Sequence, residues 1–179
     1  MTRSHYAGMD LGAKDLHCVA VDAAYEIVDA RVLHNVEDAV AWVIQARAVA
    51  IDAPAALSRA PRFGDPSVSR KFQNARCAEI ELGRRHHLWV PWPTPTDEMA
   101  VLPWMRLGFR LFASLSAVGL HPIEVYPHGA FRHLAQRRLA NKRSAAGAAE
   151  RISLLQTVGY RRRGWKCGRM TASMHSWPP

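Results

Sequence analysis

The first third of the chain alternates short apolar runs with brief polar turns. Apolar residues dominate positions 6–10, 16–21 and 27–33, and each run has the length and composition of a β-strand. The gaps between these runs are too short for the crossover that joins parallel strands. The pattern therefore predicts a three-stranded antiparallel meander.

The period of the apolar positions becomes helical after Asn35. Positions 36, 39, 40, 43 and 44 are apolar, Asn35 is a favourable N-cap, and acidic residues occupy the first turn. The segment 48–52 that follows is apolar until it ends at Asp52, and Pro54 stops it. Such a run suits a buried parallel strand, so the predicted order becomes βββαβ.

The second half of the chain contributes mainly helices and one more strand. Apolar spacing predicts a strand over 122–126 and helices over 69–82, from Thr96 onward, over 129–139 and over 144–158. Pro103 falls inside the helix that starts at Thr96, where it either kinks the helix or shifts its start. The predicted fold class is α/β, with a mixed five-stranded sheet flanked by helices.

Length and charge divide the 179 residues into a body and a tail. We predict a single domain over 1–158, a size that sustains one core, followed by an irregular basic tail over 159–179. The net charge is +9, and residues 132–179 carry 11 Lys/Arg against one acid. This basicity suits a phosphate backbone as partner, and it equally suits a solvated surface without a ligand.

Targeting signals and cysteine usage point to a protein of the cytoplasm. No apolar run approaches the roughly 20 residues that span a bilayer, and the start lacks a secretory apolar stretch, so no membrane association is expected. The three cysteines are far apart and form no zinc or redox motif. We interpret them as reduced structural thiols.

Two aspartates end neighbouring strands of the predicted sheet. Asp10 closes the first strand and Asp52 closes the fourth, and in a βββαβ unit these strands are parallel neighbours whose carboxyl ends face one crevice. Two carboxylates placed together favour Mg²⁺ or Mn²⁺, which activates water and stabilises a phosphoryl leaving group. The alternative is that each aspartate only caps the turn that follows it.

Two glutamates are candidates to complete this acidic site. Glu124 lies in the last predicted strand, which we expect to be buried, so its charge needs a partner; the alternative is an outward-facing residue of an edge strand. Glu79 approaches from a helix, although an ion pair with Arg76 or Arg84 is a simpler explanation for it. His128, just after the Glu124 strand, is the histidine expected nearest to the carboxylates.

Several short motifs in order resemble one known family. They are Gly8-Met9-Asp10, Ala50-Ile51-Asp52-Ala53-Pro54, Arg76-Cys77-Ala78-Glu79 with Leu82-Gly83, and Ile123-Glu124-Val125-Tyr126-Pro127. Over residues 5 to 135 the chain resembles the family called domain of unknown function 429, whose members are predicted ribonuclease H-like nucleases. The resemblance implies a ribonuclease H-like fold, an acidic site formed by Asp10, Asp52 and either Glu79 or Glu124, and a divalent metal.

The C-terminal segment departs from the pattern of that superfamily, which usually places another acid in the last helix. This chain has no aspartate after Asp97 and no acid after Glu150. The ending 161–179 lacks helical periodicity, and we hypothesise that it is truncated or frame-shifted. If it contacts nucleic acid, the candidate residues are Arg161, Arg162, Arg163 and Lys166.

Three functions remain open at this level. The first is a Mg²⁺- or Mn²⁺-dependent nuclease that hydrolyses phosphodiesters. The second is a non-catalytic module that binds nucleic acid or protein on the same fold. The third is a fragment of an actin-like ATPase or sugar kinase, suggested by Asp10-Leu11-Gly12, but such enzymes need a second glycine-rich phosphate loop that is not found here.

Overall fold

A computed structural model describes residues 5–160 of the chain. Its centre is a five-stranded mixed sheet in the order β3-β2-β1-β4-β5. Strands β1 to β3 form an antiparallel meander, whereas β4 and β5 continue the sheet in parallel from β1. The strands are β1 His5–Leu11, β2 Leu16–Val21, β3 Ile27–Leu33, β4 Ala46–Asp52 and β5 Ile123–Glu124. The predicted α/β class and the βββαβ core are confirmed, and the arrangement is consistent with a ribonuclease H-like fold.

Helices α1 (Val36–Val43) and α3 (Pro103–Ala117) pack on one face of this sheet. The predicted N-cap of α1 is confirmed, because the Asn35 side chain accepts a hydrogen bond from the backbone N–H of Asp38 at 2.7 Å. Side chains from both helices join alternate residues of β1, β2 and β4 in one apolar core. The residues between those alternate positions therefore lie on the opposite face of the sheet.

The helix predicted over 69–82 is instead two elements. A 3-10 turn covers Arg70–Phe72, and α2 begins only at Cys77 and continues to His86. The break occurs because Arg76 adopts an extended conformation and acts as the N-cap, with its backbone N–H donating to the Glu79 carboxylate at 3.1 Å. The cap at Arg76 therefore sets the start of α2, although the apolar spacing alone predicts a helix that starts earlier.

Pro103 shifts the start of the long helix, which is one of the two outcomes expected for it. A 3-10 turn covers Glu98–Ala100, and α3 begins at Pro103. Proline suits the first helical position because its missing N–H would have no partner there. The last two helices are α4 (Pro127–Ala135) and α5 (Ala145–Thr157), close to the segments predicted for them. No helix within residues 5–160 is both long and apolar enough to cross a membrane.

The last strand is shorter and more exposed than predicted. β5 contains only Ile123 and Glu124, both exposed, at the edge of the sheet. The expectation of a buried strand over 122–126 was wrong, because nothing among residues 5–160 pairs with the outer edge of β5. A glutamate at an open edge keeps part of its hydration and does not need a compensating cation.

The cysteines of the described residues differ in environment. Cys18 is buried in the core, and burial raises the pKa of its thiol to about 11. A thiol of such high pKa is almost entirely protonated at neutral pH, which suits a structural role. Cys77 is exposed and free, and Cys167 lies outside the described residues.

Candidate acidic site

The structure brings Asp10 and Asp52 directly beside each other. The two residues are register partners on the parallel strands β1 and β4, at the carboxyl end of each strand. Register partners on parallel strands point to the same face, with backbones about 4.8 Å apart. Asp10 is exposed and Asp52 is half-buried. The predicted juxtaposition is therefore present, on the face opposite the α1–α3 core.

Neither carboxylate has a hydrogen-bonding partner among the described residues. No donor among residues 5–160 forms a hydrogen bond or ion pair with the side chain of Asp10 or Asp52. Burial, together with the negative charges of Asp10 and Glu124, raises the pKa of Asp52 to about 6. Two adjacent carboxylates without donors repel each other, so a positive charge at this position would stabilise the folded protein.

Lys142 is the cation that acts on this pair from within the described chain. Its positive charge opposes the rise in the pKa of Asp52, although burial and the acidic neighbours outweigh it. Lys142 is exposed and lies in the turn before α5. Lys142 is one of the basic residues of the C-terminal quarter, and its electrostatic effect on Asp52 was not predicted from the sequence. No local motif signals an electrostatic interaction with a turn about 90 residues after the strand.

Glu124 is close enough to influence Asp52 but is engaged elsewhere. The register pairs Glu124 with Ile51, so the alternation of the strand assigns it to the other face of the sheet. Its carboxylate accepts hydrogen bonds from Arg76 Nη1 at 2.7 Å and from the backbone N–H of Ala55 at 3.1 Å. A metal-binding or catalytic role for Glu124 remains a prediction, and it would require this ion pair to rearrange.

Glu79 is buried and fully occupied by protein donors. Its carboxylate accepts from the backbone N–H and the hydroxyl of Thr94, and from the guanidinium of Arg76. The ion pair with Arg76, expected as the simpler explanation, is confirmed, whereas no ion pair with Arg84 is formed within residues 5–160. A catalytic role for Glu79 remains a prediction.

Arg76 is a residue whose importance the sequence analysis missed. Its guanidinium joins the buried Glu79 on α2 to Glu124 on β5, and its side chain is itself largely buried. The partner Glu124 lies 48 positions away, so helix spacing signals only the contact with Glu79. Arg76 thereby joins α2 to β5, the edge strand that pairs with β4.

His128 lies in the first turn of α4. Its ring makes an edge-on contact with Tyr126, with ring centres 5.8 Å apart. Burial lowers the pKa of His128, and the positive charges of Arg132, Arg151 and Lys142 lower it further. His128 therefore lies in a locally positive field, and its proximity to the carboxylates remains a prediction.

The donor set fits a hard divalent cation with few protein ligands. No cluster of three or more His, Cys, Asp or Glu suitable for a metal is found among residues 5–160. Mg²⁺ is commonly bound by one or two carboxylates while it keeps several waters, and Mn²⁺ also accepts oxygen ligands. Asp10 and Asp52 are the residues that would hold such an ion. The predicted contacts of Arg161, Arg162, Arg163 and Lys166 lie outside the described residues.

Comparison with known proteins identifies a family. The model of the family described as "Protein of unknown function (DUF429)" matches residues 8–175. The chain belongs to the DUF429 family. The match to DUF429 begins just before Asp10 and includes both aspartates, Glu79 and Glu124. No curated protein and no solved structure matches the chain.

The pKa of Asp52 predicts that the acidic pair destabilises the metal-free protein at neutral pH. A folded-state pKa of about 6, above the ordinary 3.8, means that the folded protein holds this proton more tightly than the unfolded chain. Stability is therefore lost as the pH rises from about 4 to about 6, and stays lost above 6. At about 1.4 kcal/mol per unit of pKa difference, the loss in the free energy of unfolding is about 3 kcal/mol. Solvent screening of a half-buried group reduces this loss to about 1–2 kcal/mol.

We therefore expect Asp52→Asn to raise the free energy of unfolding at pH 7 by about 1–2 kcal/mol without divalent cations. The gain should shrink as the pH is lowered toward 4.5, where the wild-type carboxyl is protonated. Urea unfolding at several pH values measures both effects. Asp97→Asn is the matched control, because Asp97 is exposed and asparagine also caps a turn. Equal stability of Asp52→Asn and wild type at pH 7 would contradict this account.

Proposed function

We propose that this protein is a divalent-metal-dependent phosphodiesterase that acts on nucleic acid. The observation that carries the proposal is the pairing of Asp10 with Asp52 on adjacent parallel strands, with no donor from residues 5–160 to either carboxylate. Structural aspartates at strand ends normally cap turns or accept hydrogen bonds. Two that do neither, side by side, are typical of a site built for a cation.

The chain's own residues would bind the ion and position the substrate. Asp10 and Asp52 supply two oxygen ligands, and an Mg²⁺ or Mn²⁺ ion, when bound, supplies an activated water and stabilises charge on a phosphodiester. Arg76 fixes α2 and β5 beside the pair. Lys142 lies near enough to act on Asp52, which places a positive charge where a phosphate would approach.

Charge distribution supports nucleic acid as the substrate class. The described residues from 132 to 160 contain six Lys/Arg and the single acid Glu150. A surface of this sign attracts phosphate backbones and releases their counterions on binding. The basic residues 161–163 and Lys166, which lie outside the described residues, add to the positive charge of the chain. DNA, RNA and nucleotides share the phosphate chemistry on which this proposal rests.

A second candidate function is a binding module without catalysis. The observation that favours it is the engagement of both Glu79 and Glu124 by Arg76, which leaves two free carboxylates at the site. Two ligands bind a cation more weakly than three or four do. On this alternative the fold and the basic surface remain, and the protein binds nucleic acid without cleaving it.

Cleavage and binding assays on the same oligonucleotides distinguish the two functions. The full chain is incubated with fluorescent single-stranded RNA, single-stranded DNA and duplex DNA in Mn²⁺, in Mg²⁺ or in EDTA. We expect cleavage of at least one substrate that requires a metal. Binding of an oligonucleotide without cleavage in either metal would favour the binding module, and neither binding nor cleavage would contradict both candidates.

A further inference from the structure

A cleft of about 750 Å³ lies between α2, β5 and α4. This volume is in the range of small-molecule sites, which is about 300–1,000 Å³. One wall is Val125, whose backbone N–H donates to the carbonyl of Ile51 at 2.9 Å. Ile51 directly precedes Asp52, so the cleft begins within one residue of the candidate metal ligands.

Part of the cleft wall is apolar, and Tyr126 contributes a phenol ring to it. Leu82 and Leu88 contribute aliphatic surface, and Tyr126 contributes its ring. Gly129 allows this arrangement, since a Cβ at that position would come within 2.9 Å of the Tyr126 ring and 3.4 Å of Leu88. A flat aromatic ligand can pack against such a surface, and stacking of a nucleobase on an aromatic ring is worth about 1–3 kcal/mol.

Arg132 gives the cleft a positive charge that no residue of the described part of the chain pairs with. Its side chain is half-buried and lines the cleft, yet its guanidinium forms no hydrogen bond or ion pair with any of residues 5–160. The neighbouring Arg137, in contrast, is paired with Glu150 at 2.9 Å. The acidic residue of the lining, Glu124, is neutralised by Arg76. A half-buried guanidinium without an anion is a ready site for a phosphate.

We propose that this cleft binds the terminal nucleotide of a nucleic acid strand, with the base against Tyr126 and the leucines and the phosphate on Arg132. The inference rests on the proposed function and deepens it, because it assigns the substrate class as strand ends or single nucleotides and not the interior of a duplex. A base inside a duplex is stacked and paired and cannot enter a cleft without leaving the helix. The proximity of Val125 to Asp52 places the bound end beside the acidic pair.

The test is calorimetric titration of the full chain with adenosine 5′-monophosphate in EDTA, with adenosine and inorganic phosphate as separate titrants. We expect saturable binding of the nucleotide, tighter than that of either fragment. Arg132→Leu should weaken it by about ten- to a hundredfold, which is the loss of one charge-assisted interaction. Arg138→Leu is the matched control, because Arg138 is exposed and does not line the cleft.

Two further variants keep the outcome interpretable. Ala130→Phe fills the cleft from an exposed helical position and should abolish nucleotide binding while the far-ultraviolet circular dichroism stays unchanged. Asp52→Asn should still bind the nucleotide in EDTA. A failure of the metal-dependent cleavage and a failure of nucleotide binding in the cleft can therefore be told apart. Absence of saturable nucleotide binding by the wild type, equal affinity for phosphate alone, or an unchanged affinity in Arg132→Leu would each overturn the proposal.

Discussion

Replacement of Arg76 by leucine is expected to lower the free energy of unfolding by about 3–5 kcal/mol, the range for removing one partner of a buried ion pair. The side chain of Glu79 is only 6% exposed, and that of Arg76 is 19% exposed. Without the guanidinium, the Glu79 carboxylate keeps the donors of Thr94 and the backbone N–H of residue 76, but its buried charge has lost its cation. Glu124 loses the same partner, so two carboxylates are affected by one substitution.

Urea unfolding of Arg76→Leu at pH 7 measures this effect. Arg84→Leu is the matched control, because Arg84 is an exposed arginine on the same helix, and its replacement should change stability by less than about 0.5 kcal/mol. A second variant, Glu79→Gln, keeps the shape of the side chain and removes the charge, so combining it with Arg76→Leu should cost less than the two single changes added together. Arg76→Leu with wild-type stability would mean that the ion pair contributes nothing.

Asp10→Asn and Asp52→Asn are each expected to reduce metal-dependent phosphodiester cleavage by at least about a hundredfold. Loss of a residue that only orients a metal ligand costs about 10- to 100-fold, so loss of a ligand itself costs at least the upper end of that range. The two substitutions remove parts of one site, so the double variant should be little worse than either single variant.

Cleavage rates at saturating Mn²⁺ and at saturating Mg²⁺ provide the measurement. Asp97→Asn should retain wild-type activity, since it makes the same chemical change at an exposed turn outside the pair. The Asp52→Asn protein should also be at least as stable as wild type, which separates loss of the site from loss of the fold. Near-normal cleavage by either variant would show that the acidic pair does not carry the activity.

The meander and the aspartate pair were predictable because they depend on local patterns and on one topological rule. Short gaps forced the first three strands to be antiparallel, and the helix that follows them returned β4 to the side of β1. Asp10 and Asp52 each end an apolar strand, so once β1 and β4 are neighbours their proximity follows. No side-chain detail was needed for this prediction.

The partners of the glutamates were not predictable in the same way. Glu124 was expected in a buried strand, but β5 is a two-residue edge strand, and the exposure of an edge is set by whether another strand follows it in space. Arg76 and Glu124 are far apart in sequence, and their ion pair depends on how α2 packs against β5. Lys142 lies in a turn and acts electrostatically on Asp52. Turns have no periodic sequence pattern from which this interaction could be predicted.

The start of α2 and the start of α3 show the limit of apolar periodicity. In both cases the apolar positions extend beyond the observed helix, and a backbone effect decides the boundary. Arg76 and Glu79 cap α2 at its first turn, and Pro103 provides a first residue for α3 that needs no N–H partner. The proline was visible in the sequence, whereas the unusual arginine cap was not.

Titration of the metal-free protein with Mn²⁺ by calorimetry, for wild type, Asp10→Asn and Asp52→Asn, tests the central claim most directly. The account predicts saturable binding of about one ion to the wild type, loss of that binding in both variants, and unchanged binding in Asp97→Asn. It also predicts that Mn²⁺ raises the unfolding free energy of the wild type and not that of the two variants. Absence of saturable binding to the folded wild type, or binding that survives both substitutions, would contradict the assignment of Asp10 and Asp52 as a metal site.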